Sequence, residues 1–151
     1  MLKYCLDKWN QNKLLLENKI RKDRTINSCD YLYLVKLVVD FVLNPDADKD
    51  KVWDSERITR VDDGEYQGTV LFLIPAKVYQ PEEYEYLMTY AGYGSCSGCD
   101  TLQAIQGGDD ESPLTEEQVG NFMVLCKDIL ANIIKPYNYG WRHTEDFDEV
   151  L

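Results

Sequence analysis

The sequence predicts a two-layer α+β domain in which a three-stranded antiparallel meander packs against three to four helices. Three observations support this prediction: an amphipathic helical pattern at the start, three strand-like segments joined by short turns, and a strongly capped helix before residue 136. A chain of 151 residues has the usual length of one domain. We assign residues 1–136 to this single domain and residues 137–151 to an aromatic and acidic C-terminal tail.

Two helices are predicted before the first strand. In residues 2–20, apolar side chains recur at intervals of one or two helical turns, with lysines between them, as in an amphipathic helix. Asn27, Ser28 and Asp30 are candidate N-caps for a second helix over Tyr31–Leu43. Because that segment is apolar nearly all round and rich in β-branched and aromatic residues, a buried strand is the alternative interpretation.

Three strands are predicted in the middle of the chain. The first covers residues 52–61 and is followed by the turn signal DDGE at residues 62–65. The second is the continuous apolar run GTVLFLIP, Gly68–Pro75, which is typical of a central strand. The third, Tyr84–Ala91, alternates, so that one face carries Tyr84, Tyr86, Met88 and Tyr90. The short connections between these segments imply an antiparallel meander.

Two further helices are predicted after the strands. Asp100–Gln106 forms a short helix that ends at Gly107-Gly108. The capping box TEEQ, Thr115–Gln118, starts a long helix that extends to about Lys135 and ends at Pro136. Its predicted buried stripe consists of Val119, Phe122, Met123, Cys126, Ile129, Leu130 and Ile133.

The net charge of −11 is distributed unevenly along the chain. Residues 1–78 carry 13 acidic and 13 basic side chains, whereas residues 79–151 carry 14 acidic and 3 basic ones. The first 24 residues carry seven basic and three acidic side chains. The acidic half argues against direct binding of nucleic acid, since phosphate binding needs clustered cations. It favours a protein partner with a basic surface, and the alternative is a solvated exterior that aids solubility.

Many of the tyrosines fall in the same acidic half of the chain. Tyr and Trp are enriched at protein interfaces because they bury a large area and keep a polar group. The alternative is that these tyrosines pack under the helices. We therefore predict a partner-binding surface formed by Glu82, Glu83, Tyr84, Tyr86, Asp109, Asp110, Glu111, Glu145, Asp146, Asp148 and Glu149.

The stretch GYGSCSGCDT, residues 92–101, contains a CxxC motif formed by Cys96 and Cys99. A redox site of this kind follows a strand and opens a helix, whose N–H groups stabilise a thiolate. A zinc site would need two more ligands, for which the candidates are Cys5, Cys29, Cys126 and His143. A third interpretation is an anion-binding turn made by backbone N–H groups. The structural alternative is a tight strand-to-helix turn that happens to contain cysteine.

No catalytic or calcium-binding pattern is complete in this sequence. Asp46–Asp50 is similar to the start of a calcium loop, but Lys51 and Arg57 stand where such a loop needs Gly and Glu. The single histidine, His143, lies in the tail with no partner fixed by spacing. We therefore assign no catalytic residue and expect a non-enzymatic protein without a cofactor, unless Cys96 and Cys99 hold zinc.

No apolar run reaches the ~20 residues that a membrane-spanning helix needs, and the first residues lack the pattern of a secretory signal. An odd number of cysteines, five, argues against a complete disulfide framework. These observations predict a protein of a reducing compartment that does not act in a membrane. Homo-oligomerisation stays open.

Two segments, GEYQGTVLFLIP (Gly64–Pro75) and YEYLMTYAGYGSCSGCDTLQAI (Tyr84–Ile105), resemble small uncharacterised acidic proteins of bacteriophages and prophages. In those proteins a GxYQGT strand precedes a strand that leads into YGSCSGCDTL. The resemblance covers about the middle third of the chain and brings no established activity. It implies a phage accessory protein in the cytoplasm of a bacterial host. By analogy, such proteins disable a host nucleic-acid-handling or defence factor, in some cases as nucleic-acid mimics.

The sequence leads to two hypotheses of function. The first is a phage-type accessory protein that inhibits or modulates a host protein through an acidic, tyrosine-rich surface. The second is a thiol-redox or zinc-binding protein that uses Cys96 and Cys99.

Overall fold

The structure is a computed structural model that describes residues 1–47, 52–62, 64, 68–95, 98, 100–108 and 112–136. Within these residues, a three-stranded antiparallel open sheet is accompanied by four α-helices, which confirms the α+β fold. No described helix is both long and apolar enough to cross a lipid bilayer.

The first helix, α1 (Leu2–Lys22), packs its apolar stripe against the rest of the helical layer. Its buried residues are Cys5, Trp9, Asn12, Leu16 and Ile20. Asn12 is the polar member of this stripe, and its Nδ2 donates a hydrogen bond of 2.8 Å to the carbonyl of Val42. Basic residues occupy the last turn, where they complement the negative end of the helix dipole. A short 3₁₀ helix, Arg24–Ser28, follows.

The second segment is helical, so the alternative of a buried strand was wrong. Helix α2 (Tyr31–Val38) is capped by Asp30, whose carboxylate accepts a hydrogen bond from Tyr33 N at 3.0 Å. The chain continues into one turn of π-helix, Val39–Leu43, in which Asn44 N bonds to Val39 O at 2.9 Å. This apolar helix lies in the core, as its composition predicts.

The sheet has the strand order β1-β2-β3, with β1 (Thr59–Asp62), β2 (Gly68–Pro75) and β3 (Tyr86–Tyr93). One face lies against the helices and buries Val70, Phe72, Ile74, Leu87, Thr89 and Ala91. The alternate residues form the outward face, on which Leu71 pairs with Val61 of β1 and Tyr90 of β3. The predicted alternation in β3 is therefore present, although the strand starts two residues later than expected.

The first strand is shorter than the predicted range of residues 52–61. The carboxylate of Asp54 accepts hydrogen bonds from Glu56 N at 3.0 Å and from Arg57 Nε at 2.7 Å, which folds this segment into a turn. Residues before the turn form only an isolated bridge between Trp53 and Ala76.

The last two helices are α3 (Thr101–Ile105) and α4 (Glu116–Ala131). The predicted capping box at Thr115 and Gln118 is present at the start of α4. Helix α4 ends four residues before the predicted position, because Ile134 leaves the helix and pairs with Met88 of β3 through hydrogen bonds of 2.8 and 2.9 Å. The buried stripe matches the prediction except that Leu125 is also buried and Met123 is half-buried.

Candidate protein-binding surface

The connection between β2 and β3 presents two tyrosines and two glutamates to solvent. Tyr79 is 91% exposed and Tyr84 is 47% exposed, and Val78, Glu82 and Glu83 are also exposed. We call these five residues the tyrosine–glutamate surface. Large apolar side chains with this exposure are characteristic of interaction sites when they occur together.

Backbone hydrogen bonds hold both ends of this connection. Ala76 N bonds to Glu85 O, and Lys77 N bonds to Val52 O, each at 2.8 Å. The guanidinium of Arg57 adds a cross-link, because its Nη2 donates to the carbonyls of Ala76 at 3.3 Å and Val78 at 2.5 Å. The connection is therefore ordered by specific contacts although its side chains point into solvent.

Arg57 is itself held by an ion pair. Its Nε lies 2.7 Å from a carboxylate oxygen of Asp54, and this contact lowers the pKa of Asp54. The positive charge of Arg57 is thus offset locally, so it does not cancel the two glutamates of the tyrosine–glutamate surface.

The glutamates belong to a short 3₁₀ helix, Glu83–Glu85, that leads into β3. Glu82 caps this helix through its side chain, and Glu85 Oε1 accepts a return hydrogen bond from Glu82 N at 3.1 Å. Glu82 and Glu83 form no ion pair with any described residue. Their charges are consequently available to a cationic partner.

Three of the predicted partner-binding residues, the consecutive Glu82, Glu83 and Tyr84, are exposed. The fourth described one, Tyr86, is half-buried and lies in β3 opposite Pro75. The others lie outside the described residues: Asp109, Asp110, Glu111, Glu145, Asp146, Asp148 and Glu149. The tail 137–151, including His143, also lies outside them.

Part of the acidic charge is compensated by the basic end of α1. Arg21 forms an ion pair with Glu116 at the start of α4, and this contact lowers the pKa of Glu116. A cavity of about 310 Å³ at this junction is lined by Arg21, Lys22 and Arg24 on one side and by Ser112–Leu114 on the other. The Arg21–Glu116 pair thus compensates one carboxylate of the acidic half of the chain.

Three of the five cysteines, Cys5, Cys29 and Cys126, belong to the described residues. Cys96 and Cys99 lie outside the described residues. Cys5 and Cys126 are buried in the core, and burial raises the pKa of each thiol to about 12. Burial also raises the pKa of the half-buried Cys29 to about 12. Among the described residues, no three His, Cys, Asp or Glu side chains are grouped as metal ligands.

A cleft of about 280 Å³ adjoins the predicted anion-binding turn. Asp100, at its wall, accepts hydrogen bonds from Gly94 N, Gln103 N and the hydroxyl of Tyr31, at distances of 2.9 to 3.1 Å. Among the described residues, its charged lining consists of Asp30, Asp62, Asp100 and Arg60. An excess of carboxylates disfavours an anionic ligand here, since phosphate binding requires cations or unpaired N–H groups.

Three residues that form or support the candidate surface were not predicted from the sequence: Val78, Tyr79 and Arg57. Tyr79 directly precedes the dipeptide Gln80-Pro81, a turn signal that could have indicated its exposure. The cross-link made by Arg57 joins residues about twenty positions apart, and no local pattern predicts it.

The sequence matches no protein-family model, and it has no significant similarity to a curated protein or to a solved structure.

Proposed function

We propose that this protein binds a basic surface of another protein through the tyrosine–glutamate surface. The observation that supports this proposal is the 91% exposure of Tyr79 on a connection that is braced by Arg57 and flanked by Glu82 and Glu83. A rigid aromatic side chain loses little conformational entropy on binding and buries a large area.

The two chemical features of the surface have different roles in this mechanism. Unpaired carboxylates attract a cationic partner at long range and raise the association rate. Tyr79 and Tyr84 then bury apolar area in the complex, which slows dissociation. Binding is therefore expected to weaken with salt mainly through its association rate.

The resemblance to phage and prophage proteins gives this activity a biological setting. We propose that the partner is a nucleic-acid-handling or defence protein in the cytoplasm of a bacterial host, and that binding inhibits or modulates it. An acidic surface competes with nucleic acid for the cationic site of such a protein.

The test is affinity capture from a bacterial lysate with the wild-type chain and two variants of the surface. One variant is Tyr79→Ser, and the other combines Glu82→Gln with Glu83→Lys, since Gln keeps the oxygen that caps the 3₁₀ helix. We expect either variant to lower capture of the partner at least about tenfold, and about 500 mM salt to lower it for the wild type.

Matched controls change exposed residues elsewhere. Leu14→Ser and Glu117→Lys alter an exposed apolar and an exposed acidic side chain on α1 and α4. They should capture the partner as the wild type does. Equal capture by all variants, or capture that is independent of salt, would contradict the proposal.

The alternative function is a thiol-redox or zinc protein that uses Cys96 and Cys99. It requires metal in the purified protein or a thiol of unusually low pKa. Metal analysis and a thiol titration of the wild type against Cys96→Ser and Cys99→Ser separate it from the binding function.

A further inference from the structure

The sheet has one open edge among its described strands. On the outer side of β3, Met88 is paired with Ile134 by two backbone hydrogen bonds. On the outer side of β1 no described strand is paired, and all four residues of β1 are exposed. An exposed strand edge carries backbone donors and acceptors that can pair with another chain.

The register identifies which backbone groups face this edge. In an antiparallel sheet, alternate residues direct their N–H and C=O groups to opposite sides of the strand. The backbone groups of Met88 point outward and bond to Ile134, so those of its neighbours Leu87 and Thr89 point to β2. By the same alternation in β2, the backbone groups of Leu71 and Leu73 point to β1. These residues pair with Val61 and Thr59, which leaves the backbone groups of Arg60 and Asp62 directed at the open edge.

We propose that β1 pairs with β1 of a second copy of this chain, antiparallel and with the two-fold axis at Val61. In this register, the peptide groups of Arg60 in each copy face the peptide groups of Asp62 in the other copy. Each of the two residue pairs exchanges two backbone hydrogen bonds. The result is one continuous sheet of six strands.

The side chains of β1 are complementary in this register and in no neighbouring one. Arg60 and Asp62 lie on the same face of the strand, and both are exposed. With the axis at Val61, each Arg60 stands opposite an Asp62, a favourable cross-strand pair. A shift that centres the axis on Arg60 or on Asp62 places like charges opposite each other. Charged residues at a strand edge normally prevent pairing, and here they permit a single arrangement.

The contacts of these side chains within one chain are compatible with the pairing. Arg60 lies 3.6 Å from Asp30, an exposed pair that contributes little energy. The hydroxyl of Tyr93 bonds to one carboxylate oxygen of Asp62, Oδ1, and Gly64 N bonds to the same oxygen. The second oxygen, Oδ2, is left for a guanidinium from the second copy.

A four-residue edge buries far less area than a stable interface of about 800 Å² per partner. The dimer should therefore be weak and depend on concentration. It does not involve the tyrosine–glutamate surface, so the inference goes beyond the proposed function and is tested on the purified protein alone.

The decisive experiment is sedimentation velocity between about 5 μM and about 500 μM protein. It compares the full-length wild type with two single variants, Arg60→Asp and Asp62→Arg, and with a mixture of the two variants. The wild type should shift from monomer towards dimer over this range. Each variant alone should stay monomeric, because both of its cross-strand pairs carry like charges. An equimolar mixture of the two should dimerise, since every pair then joins opposite charges.

Hydrogen exchange of the wild type gives a second measurement that needs no substitution. The amides of Arg60 and Asp62 should exchange more slowly at high protein concentration than at low concentration, whereas the amide of Gly92 should not change. A wild type that stays monomeric, single variants that dimerise normally, or a mixture that stays monomeric overturns the proposal. A dimer without added protection at Arg60 and Asp62 also overturns it, since its interface then lies elsewhere.

Discussion

Asp23 shows how a single buried carboxylate ties the end of α1 to α2. It accepts hydrogen bonds from the backbone and the hydroxyl of Thr25, at 2.9 and 2.6 Å, and from the hydroxyl of Tyr33. Burial alone raises the pKa of this carboxyl, but the hydrogen bonds and the nearby Lys19 outweigh it and lower the pKa below the usual 3.8. The folded protein thus stabilises the ionised carboxylate of Asp23 more than the unfolded chain does.

This shift predicts an acid-dependent loss of stability. A carboxyl with a lowered pKa in the folded state stabilises the protein above its unfolded pKa, and this stabilisation is lost as the pH falls through the folded value. We expect Asp23→Asn to lower the free energy of unfolding at pH 7 by about 1–2 kcal/mol. Between pH 7 and about pH 3, the variant should lose less stability than the wild type, measured by urea unfolding at both values.

The control for this prediction is Asp7→Asn, which removes an exposed carboxylate on the same helix that forms an ion pair with the exposed Lys3. Its stability should follow the wild type at both pH values. A parallel loss of stability in the wild type and in Asp23→Asn would show that Asp23 does not contribute to the acid response.

At the scale of elements, a side-chain contact joins the sheet to the last helix. Thr89 is fully buried on the inner face of β3, and its hydroxyl donates a hydrogen bond of 2.6 Å to the carbonyl of Ile129 in α4. That carbonyl is in the last turn of the helix, where its other hydrogen bond comes from Asn132 N at 3.3 Å. The contact therefore satisfies the buried hydroxyl of Thr89 and gives the Ile129 carbonyl a second, shorter hydrogen bond.

Replacing Thr89 by Val keeps the shape of the side chain and removes the donor. We expect the variant to lower the free energy of unfolding by about 1 kcal/mol, because the 2.6 Å hydrogen bond is lost and the Ile129 carbonyl keeps only the longer bond from Asn132 N. Chemical denaturation measures the change. Thr59→Val on exposed β1 is the matched control and should change stability by less than about 0.5 kcal/mol. Equal effects of the two substitutions would argue against the contact.

The elements that the sequence predicted well are those determined by local patterns. The apolar run Gly68–Pro75 is a strand over its full predicted length, and Thr115 caps α4 as its motif indicates. The end of α4 differs because of a distant contact, the pairing of Ile134 with Met88, which the neighbouring sequence does not indicate. The start of β1 differs because of a local turn, in which Asp54 bonds to Glu56 and Arg57 two and three residues away. The strand prediction over residues 52–61 did not take this turn into account.

The candidate site follows the same division. Glu82, Glu83 and Tyr84 are exposed because they lie in the turn that Pro81 begins, which composition indicates. Tyr86 was assigned to the same surface but is the first residue of β3, where it is paired with Pro75 and its side chain is half-buried. In α1, Asn12 was not expected to be buried, because its partner is the carbonyl of Val42 in a π-helical turn thirty residues away.

At the scale of the whole molecule, one apolar core joins the two layers. Leu16 of α1, Phe72 of β2 and Leu130 of α4 are all fully buried in the same cluster. A core of this kind favours a single cooperative unfolding transition for the described domain.

Because the core is continuous, a cavity introduced in α1 is expected to destabilise the sheet as well as the helices. Leu16→Ala should lower the free energy of unfolding by about 2–5 kcal/mol because it leaves a cavity. Circular dichroism of the helices and tryptophan fluorescence should still show coincident transitions, both shifted. Leu14→Ala, at a side chain that is 65% exposed two residues away, should leave both transitions in place. Separate transitions in the Leu16→Ala variant would mean that the layers unfold independently.

The pairing of Ile134 with Met88 also limits how many molecules can join edge to edge. A sheet that is available on both sides can add molecule after molecule and grow into a fibre. In this protein the chain blocks the middle of one side with its own backbone. Association through the β1 edge therefore stops at two molecules. Concentrated preparations are expected to contain pairs rather than fibrous aggregates.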